Sequence, residues 1–366
     1  MKPVRIATFS MSSVHADSYV VNVPHHPDYE WVALSVAPEY RSLANLEWVP
    51  SGVKIYETGE ELLQAHPDLD GVILTGANYE TYEQIKLCAK YGIKHIMCMK
   101  IPTLNMEEYE DIQRIVHENH ITLQVELQMR FDQTVRHMKE LLDSGAIGKL
   151  VSMQIYNTTV CVPPVLKPWV TIPEQTYGRK IPLKPDSPLF RGGCLTDHPH
   201  AFDLARFFSG SEFETIYATS SPNIRPEYII EDGAYVLGRM KNGVIASIDP
   251  SYSRHENERP PLRGVGPGWE GYPKRVEVNV VLNGENGTLL GDCFHSGIFY
   301  TGKPYKAYAV QYVGSNAHSS LMLDAFVDSI RNNTEPLINI DLHRKTIEAI
   351  VASYDSIYCG HPVTLE

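Results

Sequence analysis

The first third of the chain alternates short apolar runs with helical patterns. The runs are VRIATF, WVALSV, GVILTG, KHIMCM and ITLQVEL, which begin at residues 4, 31, 71, 94 and 121. Continuous apolar runs of this length are typical of strands buried on both faces, as in a parallel sheet. Thr58 precedes Glu61 and Asn105 precedes Glu108 with capping-box spacing, which marks helix starts between the runs. This pattern predicts a doubly wound α/β domain.

The pattern changes after a helix that we predict over residues 133–144. Segments such as GAYVLGRM, VIASIDPSYS and RVEVNVVLNG then follow one another with turn signals and few helices between them. A succession of strand-like segments joined by turns is typical of a largely antiparallel sheet. Two helical patterns, at 319–332 and 341–359, follow at the end of the sequence. The sequence predicts an N-terminal Rossmann-like parallel sheet over residues 1–125. It predicts a C-terminal α+β domain with a large, mostly antiparallel open sheet over residues 126–366.

Composition narrows the classes of partner. The 366 residues are 43% hydrophobic and 21% charged, as in an ordinary globular protein, and the formal net charge is −12. This negative balance argues against nucleic acid and anionic membranes as partners. We find no signal-peptide pattern and no apolar run long enough to cross a bilayer. The six cysteines have no C-x-x-C spacing and are expected to be buried, reduced thiols, so we expect a cytoplasmic protein.

The densest chemical cluster is the segment TDHPHAFDLARFF, which contains Asp197, His198 and His200. It is expected to start a helix, with Asp197 as the cap and Pro199 in the first turn. A histidine here has a pKa near neutrality and suits a general base, although one of the two histidines is expected merely to cap or pack. An alternative is a divalent metal such as zinc or manganese, held by His198 and His200 with His255.

Several long segments resemble the Gfo/Idh/MocA family of sugar and polyol oxidoreductases. They are residues 72–112, which include the family's Glu-Lys-Pro region, residues 127–154, and the GGCLTDHPHAFDLARFF segment at 192–208. The resemblance implies NAD or NADP as the cofactor and a carbohydrate as the substrate. It also implies that Lys100 contacts the reacting hydroxyl and that Asn78 lies beside the cofactor, unless Asn78 simply caps a helix. Because the family commonly pairs its open sheets, we expect a homo-oligomer, a dimer or a tetramer.

The departures from the family pattern concentrate on the cofactor half. The stretch RIATFSMSSVHADSY contains no glycine where the family has a glycine-rich phosphate loop. Val36, Ala37 and Pro38 stand where an acidic residue is expected to bind a ribose hydroxyl, and Met99 replaces the glutamate of Glu-Lys-Pro. The dinucleotide is therefore bound differently or not at all. If it is bound, hydroxyls at a helix mouth replace the glycine amides, and the candidate contacts are Ser10, Ser12, His15 and Asn78.

The predicted substrate site retains the residue types of the family's catalytic motifs. However, only two residues separate Asp197 from His200 where the family has three. This shift leaves open which histidine is the base, and His200 is our first choice. We therefore predict an oxidoreductase whose catalytic residues are Lys100, Asp197 and His200. The alternative is a metal-assisted or cofactor-independent lyase, hydrolase or isomerase on the same scaffold. A binding protein that lost catalysis is a third hypothesis, disfavoured because these residues are retained together.

Overall fold

The computed structural model describes residues 2–10, 20, 22–38, 46, 49–103, 105–159, 193–224, 231–252, 276–293, 297–302, 306–311 and 317–366. The chain divides into two compact units. The first includes Met1–Gln128 and Ser319–Arg344, and the second includes Met129–Lys180, Arg191–His318 and Lys345–Glu366. The division into functional domains at residues 1–125 and 126–366 stays a prediction.

The first unit contains a parallel sheet of six strands. They are β1 Val4–Phe9, β2 Tyr29–Ser35, β3 Lys54–Tyr56, β4 Gly71–Leu74, β5 His95–Cys98 and β6 Thr122–Val125. The order is β3-β2-β1-β4-β5-β6, and every neighbouring pair is parallel. This is the strand order of the doubly wound fold, so the predicted class is confirmed. Strand β3 is absent from the predicted runs because it has three residues and is partly exposed.

Three helices of the first unit are α1 Gly59–Ala65, α2 Asn78–Lys90 and α3 Met106–Glu118. Of these, α1 and α3 begin at the capping residues that the sequence marks. Thr58 Oγ1 accepts from Glu61 N, and Thr58 N donates to Glu61 Oε2, which completes the predicted capping box. At α3 Asn105 Oδ1 accepts from the amide of Glu108, but the Glu108 carboxylate accepts from the Thr103 hydroxyl instead of completing the box.

A nine-stranded sheet belongs to the second unit. Its strands are β7 Leu150–Thr159, β8 Phe213–Ser220, β9 Ala234–Met240, β10 Ile245–Asp249, β11 Val276–Gly284, β12 Gly287–Asp292, β13 Gly297–Gly302, β14 Lys306–Gln311 and β15 Val363–Thr364. The order is β14-β13-β12-β11-β7-β10-β9-β8-β15. Pairing is antiparallel except between β7 and β10, which confirms the mostly antiparallel sheet.

One face of this nine-stranded sheet is buried and forms the hydrophobic core of the second unit. The other α-helices of the described residues are α4 Gln133–Asp143, α5 Cys194–Asp197, α6 Pro199–Ser209, α7 Ala317–Asn332 and α8 Ile340–Cys359. Of these, α7 belongs to the first unit from Ser319 onward. Helix α6 packs against β7 and β10, where Met153 and Ile155 point inward and are buried. The chain leaves α4 through Gly145 at a φ of 78°, a conformation that glycine adopts without strain.

The cysteine prediction is wrong at one position. Among the described residues the cysteines are free thiols, and Cys88, Cys98, Cys194 and Cys293 are buried, but Cys359 at the end of α8 is exposed. In the part of the chain that the structure describes, no helix has the length and apolar character needed to span a bilayer.

Candidate active site

Lys100 lies at the carboxyl edge of the parallel sheet, just beyond β5. Its backbone N–H donates to Glu126 Oε2 at 3.4 Å, and Glu126 follows the neighbouring strand β6. The lysine is only 8% exposed and Glu126 is fully buried. Open α/β sheets bind ligands at this edge, and a lysine this buried is not a surface side chain that merely extends into solvent. The sequence analysis missed Glu126, although a carboxylate directly after a buried strand was the available signal.

Asn78 lies next to Lys100 in the first unit. It is the first residue of α2, and Ala77 occupies the N-cap position, so the alternative that Asn78 caps this helix is wrong. Its Nδ2 donates to Ile101 O at 2.8 Å and contacts Lys100 O at 3.5 Å. Asn78 therefore holds the backbone that carries the lysine.

Ser10 directly follows β1 at the same edge of the sheet. Its N–H donates to Ser35 O at 2.8 Å, and its hydroxyl donates to Glu80 Oε2 at 3.0 Å. The φ of Ser10 is 63°, so the chain turns sharply here although the residue is not glycine. Ser12 and His15, the other predicted phosphate contacts near this point, lie outside the described residues.

The Asp197 cluster belongs to the second unit, and its local structure differs from the prediction. Helix α5 ends at Asp197, and α6 begins at Pro199, whose fixed φ suits the first helical position. His198, not Asp197, therefore takes the N-cap position, and the prediction of Asp197 as the cap is wrong. The Asp197 carboxylate accepts a hydrogen bond from the Tyr252 hydroxyl at 2.8 Å instead.

Tyr252 is a buried residue that the sequence analysis missed. Burial, followed by the neighbouring Asp197 carboxylate, raises the pKa of Tyr252 well above its usual range. The hydroxyl therefore keeps its proton near neutral pH and donates to Asp197, which fixes the orientation of the carboxylate. The two residues are 55 positions apart, and no local pattern connects them.

His198 is held by groups on two sides. Its Nδ1 is hydrogen-bonded to Pro250 O, and because a carbonyl only accepts, this nitrogen carries the proton. Its Nε2 lies 3.7 Å from Asp197 Oδ2, and its ring stands edge-on to the Tyr252 ring with 5.3 Å between centroids. These contacts match the expectation that one of the two histidines packs.

His200 lies in the first turn of α6 and is buried. Asp203, three residues later on the helix, forms a bidentate ion pair with Arg130, with Nε–Oδ2 and Nη2–Oδ1 distances of 2.7 and 2.8 Å. The Arg130 and Asp203 side chains are 8% and 1% exposed. A buried bidentate pair of this kind fixes the helix one turn beyond the candidate base.

The Glu231 carboxylate lies against Gly193, the residue that precedes α5. Glu231 Oε1 accepts from the Tyr354 hydroxyl at 2.6 Å and from Leu195 N at 3.2 Å. A Cβ added to Gly193 would lie 2.2 Å from the carboxyl carbon of Glu231. This close approach is the physical reason for glycine at the start of α5.

The metal alternative gains no support from the described residues, among which no group of three histidine, cysteine or acidic side chains is placed to hold an ion. Its third ligand, His255, lies outside these residues, so the metal alternative stays a prediction. The structure brings Asn78 next to Lys100 in one unit, and Asp197 next to His198 in the other.

Comparison with known proteins places these features in context. Residues 135–290 match the model of the GFO/IDH/MocA C-terminal domain. The chain is 28% identical to the myo-inositol 2-dehydrogenase of Thermotoga maritima over 246 residues, which cover 65% of this chain and 61% of that relative.

Solved structures share the fold over nearly the whole chain. The myo-inositol 2-dehydrogenase of Lactobacillus plantarum superposes with a TM-score of 0.74 at 19% identity, covering 100% of both chains. An oxidoreductase from Agrobacterium radiobacter, solved in complex with NAD+, L-tartaric acid and magnesium, gives 0.74 at 16% identity and covers 99% of this chain and 98% of its own. These similarities confirm the fold class predicted from the sequence.

Proposed function

We propose that this chain, whose residues 135–290 match the model of the GFO/IDH/MocA C-terminal domain, is a nicotinamide-dependent oxidoreductase acting on a sugar, sugar derivative or polyol. The observation that carries this proposal is Lys100, a buried lysine at the ligand-binding edge of the parallel sheet. The relatives named as inositol dehydrogenases support a polyhydroxylated substrate.

The proposed cofactor site lies at the carboxyl edge of the parallel sheet. The sheet reverses its strand order between β1 and β4, and such switch points hold dinucleotides in open α/β sheets. Ser10 directly follows β1 there and Asn78 begins the helix after β4, so these two residues, with Ser12 and His15, are the proposed contacts. NAD or NADP, when bound, supplies the hydride acceptor.

The protein's own residues would handle the proton. In this proposal the Lys100 ammonium donates a hydrogen bond to the reacting hydroxyl and stabilises its developing negative charge. His200 accepts the hydroxyl proton, since a neutral imidazole has a ring nitrogen that can take up a proton. Asp197, oriented by Tyr252, binds a substrate hydroxyl or supports the base.

Native mass spectrometry of protein purified without added cofactor tests this function directly. We expect retained dinucleotide, or stoichiometric binding on titration with NAD(H) and NADP(H). Absorbance of the reduced nicotinamide then reports turnover of inositols, aldoses and sugar acids. A stoichiometric metal with no dinucleotide, even at millimolar concentration, would contradict the proposal and favour the metal-assisted alternative.

We also propose that the chain forms a homo-oligomer through the outer face of the nine-stranded sheet. Leu237 on β9 is 53% exposed and pairs across the strands with Tyr217 on β8, which is also exposed. Tyr235 and Leu290 add further exposed apolar area on β9 and β12. A wide apolar face of this kind is typical of a protein interface.

A charge in the middle of this face is expected to separate the subunits. Leu237→Glu places an unpaired carboxylate in the interface, and desolvation of that carboxylate opposes association. Sedimentation velocity at micromolar concentration should show wild type as a dimer or tetramer and Leu237→Glu as a smaller species. Leu337→Glu is the matched control, because Leu337 is 54% exposed but lies outside the sheet. A monomeric wild type would refute the proposed interface.

A further inference from the structure

A carboxylate lies at the switch point between β1 and β4. Glu80 belongs to the first turn of α2, the helix that follows β4. Its Oε2 accepts from the Ser10 hydroxyl at 3.0 Å and from Ala77 N at 3.2 Å. The acidic group therefore bridges the end of β1 and the start of α2, across the point where open α/β sheets bind dinucleotides.

The surrounding backbone holds this carboxylate in place. A Cβ at Gly76 would lie 2.8 Å from Glu80 Oε2, so the carboxylate rests directly on the Gly76 backbone. Thr75 N donates to Phe9 O at 2.9 Å, and the Thr75 hydroxyl donates to Ser10 O. The ends of β1 and β4 are thus bound together beneath Glu80.

The position of this charge matters because a dinucleotide diphosphate carries two negative charges. In this fold the diphosphate lies at the end of β1 and uses donors from the following turn. Ser10, the first such hydroxyl in this chain, donates to Glu80 instead. A diphosphate at Ser10 must either displace the carboxylate or lie next to it, and like charges at close range repel.

We propose that Glu80 limits the affinity of this chain for dinucleotides by placing a negative charge beside the diphosphate and occupying the Ser10 hydroxyl. This inference rests on the proposed function, since it assigns Glu80 a role at the proposed cofactor site. The missing glycine loop and the Glu80 carboxylate are then two departures from the usual phosphate site, and both weaken dinucleotide binding. Glu80 is a determinant of cofactor affinity and takes no part in hydride transfer.

Glu80→Gln tests the role of the charge alone. Glutamine keeps an oxygen for Ser10 and Ala77 and is the usual alternative to glutamate at this helix position. The matched control is Glu83→Gln on the same helix, which removes one carboxylate whose side chain is 68% exposed and pairs with Lys86. Thermal melting verifies that both variants are folded, and Glu80→Ala removes the same charge if the glutamine variant is not.

Calorimetric titration with NAD+ and NADP+ gives the readout, which needs no substrate. We expect Glu80→Gln to lower Kd by about 5–10-fold at low ionic strength, as for removal of one nearby like charge. The difference should shrink at about 0.3 M salt, where screening shortens the range of the repulsion. Glu83→Gln should match wild type.

The outcomes separate this inference from the proposed function. Binding only by Glu80→Gln, or tighter binding by it, supports the inference. Equal affinities for wild type and Glu80→Gln overturn it and leave the proposed function intact. Weaker binding by Glu80→Gln also overturns it, since Glu80 would then be a ligand of the cofactor. If no variant binds either dinucleotide at millimolar concentration, the inference and the proposed function both fail.

Discussion

Replacement of Lys100 by methionine is expected to lower kcat/KM by about 10²–10⁴-fold, the range for removal of a positioned proton-handling group. Methionine retains much of the apolar stem of the buried side chain but cannot donate to a hydroxyl. Because Lys100 acts on the substrate in this proposal, dinucleotide binding by calorimetry should be nearly unchanged. Initial rates with the best substrate from the sugar and polyol panel measure the effect.

The control for this variant is Lys90→Met, on the surface of α2. Lys90 is exposed and pairs with Glu60 at 2.7 Å, so its loss should leave turnover within about twofold of wild type. His200→Asn should give a loss similar to that of Lys100→Met, since asparagine cannot take up a proton at neutral pH. If Lys100→Met keeps activity within about threefold of wild type while His200→Asn loses it, the lysine is structural and the proposed proton handling by Lys100 is wrong.

Replacement of Arg130 by methionine is expected to lower the free energy of unfolding by about 3–5 kcal/mol. The variant leaves the Asp203 carboxylate buried without the bidentate partner that it has in wild type. Denaturant unfolding followed by circular dichroism measures the loss. Activity should fall as well, because Asp203 lies one turn from His200 on α6.

A double variant separates the cost of the lost bidentate ion pair from the cost of lost packing, and Arg206 Nη1 stays 3.7 Å from Asp203 Oδ1 in the single variant. Arg130→Met with Asp203→Leu removes both charges, and it should recover most of the stability that Arg130→Met loses. Arg114→Met is the surface control, since Arg114 is exposed and pairs with Asp111 and Glu118 on the same helix. Its effect should stay within about 0.5 kcal/mol. An Arg130→Met effect of that same size would show that the buried pair contributes little.

The secondary structure of the first unit could be predicted from the sequence because its signals are local. Strand β1 spans the predicted residues 4–9, and the Thr58 capping box forms as the spacing indicates. A helix of the second unit carries an equally local signal, since the helix predicted at 133–144 is observed as Gln133–Asp143. Strand β3 is the exception, since its three residues carry too little pattern to be distinguished from a loop.

The candidate active-site residues could also be predicted only where their signal is local in the sequence. Asp197, His198 and His200 are visible in the sequence because they are neighbours in the chain, and Lys100 because it follows an apolar strand. The prediction of Asp197 as a helix cap failed because a short helix precedes Pro199 and moves the cap position to His198. Local spacing does not reveal which of two adjacent residues the tertiary contacts engage.

The sequence by itself determined the succession of strands and helices along the chain, the class of each sheet and the segments that contain the candidate active-site residues. It did so because burial and capping leave local signals along the chain. Only the tertiary structure decided which groups meet. Glu80 binds Ser10 across 70 residues, Tyr252 binds Asp197 across 55, and Arg130 binds Asp203 across 73. These pairs depend on the order of the strands in the sheets and on the packing of α6. The sequence around a polar residue does not indicate which distant group will form its hydrogen bond or ion pair.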